Sequence, residues 1–372
     1  MNRKLLMGIL LLLVPLFTWQ DTETVEDGLR EILGNVDLSE WDDWFSAQNG
    51  DSDFVPSDFL TAAVLEGNTA SEEDWTLRLK ELALEGVKTA LWHFGLYLGV
   101  GVFAALASAL RQGELDETVD RMTATVGGCL VMGLFLPLLR EAHGLMQTAE
   151  NGYSVLFPVL MGILVLFGMQ NGAAVMEPMT AVLSGAVLNS MRGIVFPLCV
   201  VGGIFAAMNG IGGARMKEYS KLCLKLAKWV IGVVSSLYLT VTAIRSSVAI
   251  HTDTLLLRTT KLATGSLPFV GGLVSDSVDT AFRCIVLVKN AIGITGILLL
   301  LLVVLKPIVH LVMERCALKL ASVLSAPFCR NGYPSTLELV GNALGIVTAS
   351  VIAVLVMGIG TVGLLMGVGQ TG

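Results

Sequence analysis

Ala291-Ile-Gly-Ile-Thr-Gly-Ile-Leu-Leu-Leu-Leu-Leu-Val-Val-Leu305 runs straight into Lys306 and Pro307. A surface helix of a soluble protein needs one polar face; this stretch has no charge on any face, so its surroundings must be apolar all round. Other stretches share the character. Thr89–Leu110 forms a full span between Lys88 and Arg111, while Met122–Leu139 and Tyr153–Met169 sit near the shortest length that crosses a bilayer. Gly193–Ala214, Trp229–Ile244 and Asn342–Gly367 complete the clear set. Gly172–Met191 carries Glu177 and Pro178 and either crosses or re-enters, because a carboxylate at depth must face protein or water. These runs predict an all-α polytopic integral membrane protein. It would be a bundle of about seven to eight transmembrane helices with amphipathic interfacial linkers.

Composition agrees. Of 372 residues, 54% are hydrophobic and 15% charged, where a soluble domain carries roughly 25%. Mean hydropathy is +0.73. Charge is divided unevenly. Asp21–Gly86 holds 18 acids against three bases, a net of −15, whereas residues from Val87 onward carry a net of +6; with Arg3 and Lys4 this gives −7. A disulfide scaffold, a nucleic-acid binder and a cytosolic enzyme all fit poorly.

Three regions follow. Residues 1–20 read as a signal peptide or signal anchor: Arg3 and Lys4 precede the apolar Leu5–Phe17, and no small-x-small cleavage site follows. Residues 21–86 form an acidic extracytoplasmic segment, either a solvated spacer or a small docking module. Within it Val25, Leu29, Ile32, Leu33 and Val36 recur at helical spacing, and Ser71 followed by Asp74 looks like a helix start. Residues 87–372 are the multi-span membrane domain.

Basic residues orient the spans. Arg215, Lys217, Lys221, Lys225 and Lys228 should lie inside, as should Lys306, Arg315, Lys319 and Arg330. Both strips lie inside, with an outer start, only if Gly172–Met191 crosses, giving eight spans; seven with a re-entrant segment is the competitor. Lys217, Lys221, Lys225 and Lys228 share one helical face and repel one another in water. Anionic lipids relieve that repulsion, at roughly 1 kcal/mol per base, so these four are candidate lipid-surface contacts. His310, Glu314, Arg315 and Lys319 form a similar stripe opposite Val309, Val312, Met313 and Leu320.

A catalytic site is hard to find. His93, His143, His251 and His310 are scattered, and the six cysteines match neither a zinc site nor a disulfide framework. Gly358-Ile-Gly-Thr-Val-Gly363 fits the dinucleotide pattern but lacks its strand, helix and downstream acid. No metal, cofactor or enzymatic activity is expected. His93→Ala and His310→Ala are expected to be nearly silent, since neither has a visible proton-transfer partner. Gly95/Gly99 and Gly363/Gly367 instead read as close-packing pairs, within the chain or between subunits.

One further segment stands out. Leu267-Pro268-Phe269-Val270-Gly271 leads to Ser275-Asp276-Ser277-Val278-Asp279-Thr280, then to Lys289-Asn290-Ala291-Ile292-Gly293. Asp276 and Asp279 would share a helical face and either pair as an ion site or cap a helix; Lys289 would snorkel to the interface. Pro268, Gly271, Asp276, Asp279, Lys289, Asn290 and Gly293, together with Glu177, are the candidate functional or packing residues. The pattern of these motifs before the apolar run and Lys306-Pro307 resembles the stage III sporulation protein AE family over roughly residues 85–368. The resemblance implies an endospore former and a mother-cell membrane protein around the forespore, with no catalytic residues. It implies as partners the other stage III A-operon proteins and, through them, the forespore stage II Q protein. Its role would be a subunit of the mother-cell-to-forespore channel complex. A permease-like subunit conducting a small solute or ion is the alternative, favoured if the spans prove broken or carry buried charge.

Overall fold

The computed structural model describes residues 39–49, 72–109, 116–166, 173–174, 177–178, 181–265, 271–327, 329 and 332–367. Among them there is no strand; the chain is a bundle of long helices. In order these are α1 (Ser39–Asn49), α2 (Glu72–Ala109), α3 (Asp116–Leu166), α4 (182–207), the short α5 (Asn209–Gly212), α6 (Ala214–Gly265), α7 (Gly271–Ser325) and α8 (Tyr333–Gly367). Five helices are long and apolar enough to cross a membrane: Ala124–Val165, Gly185–Ala207, Ala214–Arg245, Val286–Ser325 and Tyr333–Gly367. That count belongs to the described residues, and it falls short of the seven to eight expected for the whole chain.

Two fusions account for much of the difference. Met122–Leu139 and Tyr153–Met169, expected as separate spans, lie largely on the single helix α3, which continues through Arg140, Glu141 and His143 without a turn. Pro137 and Pro158 sit inside it, where each removes a backbone hydrogen bond and bends the axis. The second half of Gly172–Met191 likewise starts α4 instead of crossing separately. Its turns over Val182–Val187 and Met191–Val195 are widened to π-helix before Phe196–Ala207 returns to α. Glu177 is helical and exposed.

The linkers also differ from expectation. Arg215–Lys228 is the first part of α6, continuous with the span Trp229–Ile244. Gly213, at φ 59°, makes the break that separates it from α5, a conformation open to glycine without strain. The stripe on α7 is not a uniformly solvated face: Glu314 is fully buried and His310 and Arg315 half-buried, while Lys319 is exposed together with Val312 and Leu320.

The helices α7 and α8 form an antiparallel hairpin around which the others gather. Contacts step down both in opposite directions, from Gly341 on Leu318 and Gly345 on Arg315 to Gly293 on Met366. Helix α8 is the most enclosed, with Leu337, Val340, Ala343, Leu344, Val347, Val354 and Val362 fully buried. Its buried hydroxyls turn back on their own helix, as Thr348 does to the Leu344 carbonyl at 2.9 Å, so no donor is stranded. Buried tyrosines tie neighbours together: Tyr333 donates to the Tyr97 carbonyl at 2.8 Å and Tyr153 to the Leu355 carbonyl at 3.1 Å. From the acidic segment, α1 docks on the bundle through Trp44 and Phe45, with Trp44 seated against Gly152 and Leu300.

Candidate functional site

Four titratable side chains from three helices meet inside this apolar bundle. Glu314 on α7 has a side-chain exposure of 0%. His93 on α2 donates through Nδ1 to Glu314 Oε1. One turn earlier on α7, His310 donates through Nδ1 to Glu141 on α3, at 2.9 Å from Oε2 and 3.0 Å from Oε1. His310 Nε2 lies 3.7 Å from Glu314 Oε1, too far for a hydrogen bond and close enough for a small shift or one water to complete it. The helix repeat makes this possible, since positions 310 and 314 share a face. Tyr97, one turn beyond His93, packs beside the same carboxylate.

The order is Glu141, His310, Glu314, His93. Side-chain exposures are 32% at Glu141, 20% at His310 and 21% at His93, so Glu314 alone is fully closed off. Carboxylates and imidazoles alternate along it, the pairing best suited to passing a proton. Glu314 Oε2 and His310 Nε2 are buried without hydrogen-bond partners, so the line is incompletely satisfied. A further ion pair is partly exposed: Arg192, on the π-helical turn of α4, meets Glu150 of α3 at 2.7 Å. Arg192 Nε and Nη2 are likewise buried without partners. No group of three His, Cys, Asp or Glu among the described residues could hold a metal ion.

The residues singled out from sequence are distributed differently. Gly271, Asp276 and Asp279 are helical at the start of α7, and Pro268 lies outside the described residues. Lys289 does not snorkel: it is 1% exposed and packed within the bundle, so it belongs to the interior. Asn290 is half-buried, with Oδ1 enclosed and unpartnered. Gly293 holds a close approach, since a Cβ there would meet Met366 Sδ at 2.5 Å. The expectation that His93 and His310 lack partners is corrected. Their carboxylates stand 221 and 169 residues away in sequence, and no local spacing could show them. The readable signal is the spacing of His310 and Glu314 on one helical face, which the amphipathic stripe assigns to an interfacial linker instead of to a buried contact.

Long helices that are apolar outside and hold ionisable groups between them define a helical membrane protein. The chain belongs to the stage III sporulation protein AE family, whose model matches residues 83–369. It is similar to Stage III sporulation protein AE of Bacillus subtilis (strain 168), with 22% identity over 345 residues, 91% of this chain and 81% of the relative. No solved structure matches.

Proposed function

We propose that this sporulation protein is a non-enzymatic, multi-pass subunit of the complex that links the mother cell to the forespore after engulfment. It would sit in the mother-cell membrane, with residues 21–86 outside the cytoplasm. Its partners would be the other stage III A-operon proteins and, through them, the forespore stage II Q protein. The observation that carries the subunit role is the state of the glycine pairs. Gly95, Gly99, Gly363 and Gly367 have nothing within 4 Å of where a Cβ would stand. Around the first pair Leu91, Trp92, Leu96 and Phe103 are 43–70% exposed. Small residues flanked by large apolar ones make a close-packing face for another helix, and none of the described residues packs on it. Affinity purification of the tagged chain from sporulating cells tests the role. The other operon products should co-purify, and Gly99→Leu should cut their recovery while leaving membrane levels of this protein unchanged. Recovery of the chain alone from cells that sporulate normally would overturn the assignment.

A second reading has its own support. The line Glu141–His310–Glu314–His93 gathers ionisable groups inside an apolar helical bundle, as ion and proton pathways do. Helix α4 adds π-helical turns, a geometry frequent at functional sites. On this reading the subunit also passes a proton or small ion. Glu314→Gln keeps shape and hydrogen bonding but removes the ionisable centre. Assembled complex with lost forespore development would support conduction; normal spores at normal protein level would refute it.

A further inference from the structure

The two basic strips, far apart in sequence, meet at one cleft. Lys228 at the start of α6, Arg315 on α7 and Asn342 on α8 line an opening of about 300 Å³ with Ile231, Ile346 and Ala349. It continues into a smaller opening of about 170 Å³ that shares Lys228 and Asn342 and adds Lys221, Lys225, Leu224 and Leu339. No acid lines either part. Lys221 is occupied by Glu218 at 2.7 Å, which leaves Lys225, Lys228 and Arg315 without an ion pair among the described residues.

The Arg315 side chain is placed with care. Its guanidinium lies on the backbone of Gly345, where a Cβ would collide with Nε and Cζ and would meet Nη2 at 2.9 Å. Its Nε is buried and has no hydrogen-bond partner. With Nε pressed on the Gly345 backbone, the remaining guanidinium nitrogens are the ones left for a ligand, and a phosphate oxygen is the acceptor a guanidinium suits best. Along α6 the lining passes from Lys221, Lys225 and Lys228 to Ile231; along α8 it passes from Asn342 to Ile346 and Ala349. Bases and aliphatic side chains line both parts, with Leu224 and Leu339 beside the lysines and Arg315 beside Ile231 and Ile346, a mixture that fits an amphiphile better than a free anion.

We infer that this cleft binds the phosphate headgroup of an anionic phospholipid, held by Lys225, Lys228, Arg315 and Asn342, with its acyl chain along Ile231, Ile346 and Ala349. Basic pockets between membrane helices take such headgroups. The inference rests on the reading that this end of the bundle faces an anionic leaflet, and it turns a diffuse surface attraction into a stoichiometric site.

The test uses the purified full chain in neutral detergent, with the thermal midpoint followed as phosphatidylglycerol, phosphatidylcholine or inorganic phosphate is added. Phosphatidylglycerol alone should raise the midpoint and saturate. Arg315→Gln should weaken that response roughly tenfold to a hundredfold, the worth of a charge-assisted hydrogen bond. Gly345→Ala should do the same with the charge intact, by displacing the guanidinium, which keeps the test sound if Arg315→Gln folds poorly. Lys217→Gln, outside the cleft, should reduce salt-sensitive adhesion to anionic vesicles yet leave the saturable response in place. Equal responses to phosphatidylcholine, or undiminished ones in both cleft variants, would overturn the site. Inorganic phosphate reproducing the shift would overturn the lipid as its source. Adhesion that survives in Arg315→Gln while the saturable response was never present would sink the cleft and spare the surface reading.

Discussion

Glu314 shows how a single side chain changes meaning once its neighbours are known. In a solvated stripe it would be one of several exchangeable charges; enclosed between His93 and His310 it is the junction of a buried network. Removing one partner from such a group leaves the other uncompensated, which typically costs about 3–5 kcal/mol. Glu314→Ala is therefore expected to lower the thermal midpoint in detergent markedly, and Glu314→Gln much less, because the amide still accepts from His93. His93→Ala strands Glu314 Oε1 as Oε2 is already stranded. We expect it to cost about 1–3 kcal/mol, measurable by the same melt, in place of the silence that sequence alone suggests. A wild-type midpoint for His93→Ala would show that the contact contributes nothing. The glycines divide in the same way. Gly293→Leu must push Met366 aside and should destabilise the chain by roughly 1–3 kcal/mol. Gly99→Leu enters open space and should leave the melt unchanged.

Helices were legible where one stretch of residues decides them. The apolar run Ala291–Leu305, the helix starting just after Ser71 and the long apolar Asn342–Gly367 all fall on helices as their patterns require. Breaks between helices were less legible. Arg140, Glu141 and His143 read as the polar end of one span, yet α3 carries them through mid-helix because Glu141 finds His310 on α7. A tertiary partner removed the penalty that would otherwise have ended the helix. Pairing of helices was invisible, since it depends on shape at single positions. Gly358 is the case in point: a Cβ there would run into the Tyr153 ring, so α3 reaches α8 only because that residue is glycine. Gly358→Ala should loosen the α3–α8 contact and lower the midpoint. Tyr153→Leu in the same chain should recover part of that loss, since the ring causes the clash. A double-mutant cycle gives the coupling, and strict additivity of the two changes would show that they do not touch.

Across the described molecule one cluster of bases lies at one end of the α7–α8 hairpin. Lys228 and Arg315 share a cleft, and Lys319 follows one turn beyond Arg315 on the same helix. By contrast α1, from the acidic segment, sits on Gly152 and Leu300, further toward the end of the hairpin where Gly293 meets Met366. Bases are held on the cytoplasmic side of membranes, so this separation supports α1 outside and the cleft inside. Thiol labelling in whole cells reads the arrangement directly, provided the probe positions are exposed. Ser220 is unsuitable because it is fully buried and donates to the Gly202 carbonyl at 2.7 Å. Ala47 on α1 and Glu218 on α6 are both exposed. In a cysteine-free variant, Ala47→Cys should react with an impermeant reagent added to intact protoplasts. Glu218→Cys should react only after permeabilisation. Labelling of Glu218→Cys in intact protoplasts would place the basic end outside, against the charge asymmetry, and would remove the anionic cytoplasmic leaflet from any account of the cleft.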